Sequence, residues 1–270
     1  MFEKATTRNN DFIDTQNFSR ALCEKYGLRN VRIESGLKNI VHLKQFVNLF
    51  KIWPTCFSKD PHQNLLSLSV FICYPNYQYL IFADEKVIGY LATVPVRLEK
   101  ELKELPRGGY TWGIQNGVKH VGRNKNTLCA LAAVIDPTFK GSGMSTFMIE
   151  LLKKISQAKG YPRLIVPVRP TKKHLFPHET MHDYLQRASV DKVPFDPWIR
   201  AHHLSGGKFR NVCEDSIVIK AKRKAWQRWQ ATSDGVASVF PGGLVTVKYE
   251  SSSNIGTYRE PNVWFEYSDF

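Results

Sequence analysis

An uncharged, largely apolar run, Thr127 to Ile135, leads through a glycine-bearing loop into a helix-patterned stretch, Met144 to Lys159, which ends at Gly160. A second apolar run, Arg163 to Val168, follows and is closed by Pro170. Continuous apolar runs of this length read as strands buried on both faces. Strand, helix and strand in that order form a βαβ crossover, whose two strands lie parallel. A crossover of this kind places the chain in the α/β class.

The flanking segments add elements around that centre. Phe12 to Tyr26 has near-helical apolar spacing and ends at Gly27, an expected C-cap. Asn30 to Ile33 alternates as a short strand, and Leu37 to Trp53 reads as an amphipathic helix stopped by Pro54. Tyr77 to Ala83 and Val87 to Val96 form a hairpin across Asp84, Glu85 and Lys86, followed by a loop containing Pro106 to Gly109. Downstream we expect short helices at Thr180 to Arg187 and Pro197 to Ser205. Strands are expected at Ser216 to Ala221, Leu244 to Tyr249 and Val263 to Tyr267. With no repeat or low-complexity linker, the pattern predicts one domain over residues 1–270. It has an N-terminal helical elaboration (about 1–60) and a C-terminal strand extension (about 240–270).

Composition narrows the function classes. The chain has 270 residues, 43% of them hydrophobic, as expected of a folded globular protein. No apolar run approaches the roughly 20 residues that span a bilayer, since Leu65 to Ile72 is interrupted by serines. The N-terminus lacks a secretory pattern, so the chain reads as cytoplasmic. Its five cysteines lie far apart, outside any C-x-x-C pair, and are expected to be reduced. His174, His178 and His182 have helical i, i+4, i+8 spacing, but Pro177 interrupts the series and no metal site is expected. Thirty-eight Lys and Arg against 24 Asp and Glu give a formal net charge of +14, which favours anionic ligands.

The chemistry is concentrated in Val134-Ile135-Asp136-Pro137-Thr138-Phe139-Lys140-Gly141-Ser142-Gly143-Met144-Ser145. Glycines at 141 and 143 let the backbone approach a ligand, and the start of the following helix offers unpaired N–H groups and a positive dipole end. Together they form a pyrophosphate cradle. It is neither a P-loop, because no Lys-Ser/Thr pair follows the second glycine, nor the dinucleotide fingerprint, whose third glycine is missing.

The run V-x-x-P-x-x-K-G-x-G over Val134 to Gly143 resembles motif A of the GNAT superfamily of N-acetyltransferases. Lys140 stands where the motif usually has Arg or Gln, and Ser145 where it has Gly or Ala. Four further segments resemble a little-characterised bacterial GNAT-like subfamily: Thr127 to Ala132, Pro167 to Thr171, Pro194 to Trp198, and Glu260 to Trp264. The resemblance implies a GNAT-like mixed, mostly antiparallel central sheet with a parallel splayed strand pair, flanked by helices. It implies acetyl-CoA or another acyl-CoA as cosubstrate, no metal, and acyl transfer to an amine on a small molecule or carrier.

By the same resemblance, backbone near Ala133, Val134 and Ile135 would bind the pantetheine arm and the oxyanion. Lys140, Gly141, Ser142, Gly143, Met144 and Ser145 would hold the pyrophosphate. Pro167, which lacks an N–H, suits the place where the parallel pair separates. No carboxylate lies on the strand Thr127 to Val134, so water or a group such as Glu260 would have to serve as base, with Asp136 capping a turn. Counting back four residues from Gly206 makes His202 the expected general acid. His174, His178 and Tyr184 are weaker acceptor-side candidates, as are Trp112, Trp198 and Trp264 as pocket walls. Two rival readings remain: a CoA-binding module without catalysis, and a basic RNA-associated acetyltransferase acting on aminoacyl-tRNA. The second draws on Lys220 to Lys224 with Trp226, Arg228 and Trp229. Acceptor identity, acyl-chain length and oligomeric state are not specified by any of these residues.

Overall fold

The computed structural model describes residues 20, 23–24, 27–36, 48–49, 51, 53–99, 102–139, 143–187, 193–229, 232–233, 237–250 and 253–268. The expected helices Phe12 to Tyr26 and Leu37 to Trp53 lie largely outside them. In chain order the described elements begin with β1 (Val31–Ser35), α1 (Thr55–Lys59), α2 (Pro61–Cys73), β2 (Gln78–Ala83) and β3 (Lys86–Val96). Next come α3 (Gly109–Lys119), β4 (Thr127–Ile135), α4 (Met144–Ala158), β5 (Leu164–Val168), α5 (Met181–Leu185) and α6 (Pro197–Leu204). The last are β6 (Lys208–Lys222), α7 (Arg223–Arg228), β7 (Thr232–Ser233), β8 (Ala237–Val239), β9 (Val247–Tyr249) and β10 (Ile255–Tyr267).

Ten described strands form one sheet in the order β1-β2-β3-β4-β5-β10-β9-β8-β7, with β6 paired to β10. Every pairing is antiparallel except β4 with β5. Along one edge β10 pairs with β9 at Gly256 and Thr257 and with β5 from Val263 to Tyr267; β6 follows its other edge. The expected strands Ser216 to Ala221 and Val263 to Tyr267 are thus parts of longer ones, whereas Leu244 to Tyr249 shortens to β9. The hairpin turn is also tighter than expected: Lys86 already pairs with Ala83, and Asp84 takes the turn at φ 51°. Its carboxylate accepts the backbone N–H groups of Arg29 and Asn30, at 2.9 and 3.0 Å.

Alternation along the strands assigns the two sheet faces. Leu128 and Ala130 of β4 pack with Val166 and Val168 of β5 under α4, α5 and α6, through Phe147, Tyr184 and Ile199. Cys129 and Leu131 of β4 and Ile165 of β5 face the opposite way, toward Val70 and Tyr74 of the α2 end and Ile114 of α3.

Helices α2 and α3 were not expected from the sequence. Asp60 opens α2, its side chain accepting the Gln63 N–H at 2.8 Å, and Pro61 takes the first helical position. In α3, glycines 109, 113 and 117 recur at i, i+4, i+8, and this otherwise poor helix-forming composition lets the backbone lie close on the sheet. A Cβ at Gly113 would stand 3.0 Å from Cys129 Sγ, and one at Gly117 2.3 Å from Val94 Cγ2 and 3.2 Å from the Pro95 carbonyl oxygen. Gly117→Leu is therefore expected to lower unfolding free energy by about 3 kcal/mol in urea titrations. An unchanged midpoint would mean that α3 does not depend on this close approach. Among the described residues, no helix is long and apolar enough to cross a membrane.

Candidate active site

The parallel pair is short. β4 and β5 pair only at Leu128 with Leu164 and at Cys129 with Ile165, while Val166, Pro167 and Val168 continue on β10 opposite Phe265, Trp264 and Val263. At the same level β4 bulges. Ala92 and Thr93, adjacent on β3, pair with Ala132 and Ala130, which leaves Leu131 as the extra residue. Beyond the bulge, Ala133, Val134 and Ile135 pair with Leu91, Tyr90 and Gly89 on the β3 side. Among the described residues no strand pairs with their other edge, so the backbone there faces a wedge between β4 and β5.

The start of α4 follows directly. Gly143 precedes it at φ +80°, a left-handed conformation that disfavours ordinary side chains, with nothing within 4 Å of where a Cβ would sit. Gly143 has no side chain with which to cap the helix, and among the described residues no side-chain cap occupies its first N–H groups. Met144 is buried in the core and Ser145 half-buried, while Lys140, Gly141 and Ser142 lie outside the described residues. Asp136 caps the preceding turn. It accepts from the Thr138 N–H and hydroxyl at 2.9 and 2.7 Å and pairs with Lys86 Nζ at 2.7 Å. Burial opposes its ionisation, but these partners outweigh it and hold the pKa below its ordinary value.

His202 and Glu260 stand in environments that do not suit the roles expected of them. His202 is 0% exposed, its Nδ1 is 2.8 Å from Tyr267 Oη, and its Nε2 has no hydrogen-bond partner among the described residues. Its ring packs at 4.4 Å from Trp198 and 5.4 Å from Phe265. Tyr267 lies opposite Leu164, at the closed end of the wedge. Burial, with a smaller contribution from Lys153, pushes the imidazole down to about 3, which favours the neutral ring at neutral pH. Glu260 is also fully buried. Arg169 donates to both its oxygens, at 2.9 and 3.0 Å, and Tyr258 adds a third hydrogen bond at 2.6 Å, which leaves no free base.

The remaining candidates disperse. His174, His178 and His182 share no helix, because α5 begins only at Met181. Tyr184 donates to Asp196 at 2.7 Å in the core. Trp112 and Trp264 pack edge to face, and Trp264 donates to the Pro106 carbonyl at 2.8 Å. Trp226 is fully buried against Trp229, Phe240 and Tyr258, so it offers no stacking surface beside the basic run.

The sequence reading missed a cavity of about 250 Å³ on the sheet face beneath α1, α2 and α3. Leu131 and Ala132, at the β4 bulge, belong to its wall together with Trp53, Gln63, Tyr90 and Tyr110. The cavity therefore reaches the bulge, next to the stretch of β4 backbone that faces the wedge.

No family model matches the chain. It is 26% identical over 284 aligned positions to the arginine N-acetyltransferase avaD of Aspergillus versicolor, covering 93% of this chain and 97% of that one. Among solved structures it resembles the loading GNATL domain of CurA from Lyngbya majuscula, with a TM-score of 0.57 and 13% identity over 89% of this chain and 98% of that chain. It also resembles the GphF GNAT-like decarboxylase in complex with isobutyryl-CoA, with a TM-score of 0.54 and 10% identity over 89% and 99%. A mixed sheet whose single described parallel pair splays at a bulge, flanked by helices on both faces, is the GNAT fold, and this chain adopts it.

Proposed function

We infer that the chain is an acyl-CoA-dependent N-acyltransferase that acetylates the amine of a small molecule. The observation that carries this reading is the coincidence of the β4 bulge with the parting of β5, beside a helix start without a side-chain cap. The arginine N-acetyltransferase relative, aligned over nearly the whole chain, supports transfer to nitrogen. The narrower kinship with a bacterial GNAT-like subfamily, a carrier-bound acceptor, a cytoplasmic location and one catalytic unit over residues 1–270 belong to the same proposal. Five free thiols support a reducing compartment.

In this reading the β5-facing backbone of Ala133, Val134 and Ile135 holds the pantetheine arm and donates N–H bonds to the oxyanion that develops on the thioester carbonyl. Fixed donors at a developing charge are the largest catalytic contribution open to such a site. Lys140 to Ser145 hold the pyrophosphate through glycine backbone and the N-terminus of α4. No carboxylate stands on β4, and neither His202 nor Glu260 is free to exchange a proton, so water carries the proton from the amine and returns one to the thiolate.

Gly143→Glu tests the cradle by placing negative charge and bulk at the helix start. Calorimetry is expected to show acetyl-CoA affinity weakened at least tenfold, with thiol release falling in parallel. Gly143→Asn tolerates the left-handed conformation without adding charge and should stay close to the parent. Parental affinity in the Glu variant would place the pyrophosphate elsewhere.

A further inference from the structure

The chemistry of the cavity wall specifies an acceptor class. Among its described lining residues none is Asp, Glu, Lys, Arg or His. Its two tyrosines are neutral, because burial raises both the Tyr90 and the Tyr110 phenols. Trp53, Phe57, Phe71 and Leu131 make much of the wall aromatic or aliphatic. A guanidinium or second ammonium taken into such a space would lose its hydration with no counter-charge among the described lining residues. The volume, about 250 Å³, lies just below the usual range for drug-sized ligands and suits a body of about one ring.

One polar group in the wall awaits a partner. Gln63 is 5% exposed, and its Nε2, itself buried, has no hydrogen-bond partner among the described residues. The other two wall amides are engaged: Asn64 Nδ2 donates to the Ser58 carbonyl at 3.0 Å, while Gln78 Nε2 donates to the Tyr74 and Thr93 carbonyls at 3.2 Å each and its Oε1 accepts from Tyr90 at 2.6 Å. A buried amide donor without a partner is destabilising, and a ligand carbonyl met by a turn of the Gln63 side chain would relieve it. The lack of a free base near the bulge bears on the nitrogen itself. An α-amino group next to a carbonyl has a pKa near 8 against about 10.4 for a lysine-type amine, so a useful fraction is already neutral at pH 7.

We propose that the acceptor is an α-amino amide or ester with one uncharged apolar side chain, its carbonyl held by Gln63 and its side chain enclosed by Trp53, Phe57 and Phe71. This rests on the acyltransferase reading above and narrows it, departing from the arginine named for the relative. In the reaction the neutral amine nitrogen bonds to the thioester carbonyl carbon as the carbon–sulfur bond breaks. The proton lost by nitrogen balances the one gained by sulfur, giving the N-acyl product and free CoA thiol.

The test is thiol release from acetyl-CoA with phenylalanine amide, arginine amide, free arginine and phenethylamine, which lacks the carbonyl. The expected kcat/KM for phenylalanine amide exceeds that for arginine amide at least tenfold. Gln63→Leu, and the closer mimic Gln63→Met, should lower it for phenylalanine amide at least tenfold more than for phenethylamine, with acetyl-CoA Kd and Tm as controls. Preference for arginine or its amide, or equal losses on both amines, overturns the proposal. If acetyl-CoA binds but no amine releases thiol, the acyltransferase reading falls. Calorimetry with N-acetyl-phenylalanine amide then decides the cavity separately: Gln63-dependent binding sustains the assignment, and no binding overturns it.

Discussion

Arg169→Met is expected to lower the unfolding free energy by about 3–5 kcal/mol, because it leaves a buried carboxylate without its cation. Arg169 directly follows β5, and its guanidinium engages both oxygens of Glu260 on β10 and the Gly242 carbonyl at 2.7 Å. Tyr258 completes the network: its hydroxyl donates to Glu260 and accepts the Leu244 N–H at 3.0 Å. One ion pair thus ties β5, β10 and the segment before β9 together. The double variant Arg169→Met, Glu260→Gln removes both charges and should recover much of the loss in urea titrations. The same pair of measurements bears on mechanism. Glu260→Gln alone should change stability while leaving the pH dependence of kcat/KM intact; loss of an ionisation from that profile would make Glu260 the base after all.

The sequence made the centre of the fold legible because burial on both faces leaves an unmistakable apolar run. Thr127 to Ile135 is β4 from end to end, and the helix and strand after it match within a residue or so. Two helices escaped notice for different reasons. α3 is written in glycines, and only the close approach of Gly113 and Gly117 to β4 and β3 explains why a poor helix-forming stretch is helical. α2 carried a readable signal, Asp60-Pro61, the same cap and first-turn proline that opens α6 at Asp196-Pro197, where the Asp196 side chain accepts the Trp198 and Ile199 N–H groups. Missing α2 meant missing Gln63 and with it the cavity. The helix start that follows Gly143 was legible as glycine spacing before a helical pattern, whereas the bulge was not, since a one-residue shift in pairing leaves no mark in composition. Glu260 was singled out for its chemical type and His202 for its offset before Gly206, and neither signal carries burial, a property of the tertiary fold that suits neither group to proton transfer.

His202 should make the protein acid-labile. Its unfolded-state pKa is near 6.5 and burial pushes the folded value down to about 3, so between those values the unfolded chain binds more protons and stability rises with pH. On lowering the pH from 7, this one residue is expected to cost a few kcal/mol, lost progressively between about pH 6.5 and pH 3. His202→Gln has no such titration and should flatten the stability profile over that window. The same burial favours the neutral imidazole at pH 7, which disfavours it as the acid for CoA thiolate. At pH 8, where the parent ring is neutral as well, turnover of His202→Gln should stay within a few fold of the parent. A hundredfold fall in kcat with an unchanged pH–stability slope would reverse the assignment and return the histidine to the reaction. Lys153 provides the cross-check. Its ammonium donates to the Ser205 carbonyl at 2.6 Å and sits 5.2 Å from the Tyr267 ring centre, close enough to oppose a second charge on His202. Lys153→Met should therefore raise the imidazole pKa slightly and shift the acid-unfolding midpoint to lower pH, in the opposite sense to any loss of packing at neutral pH.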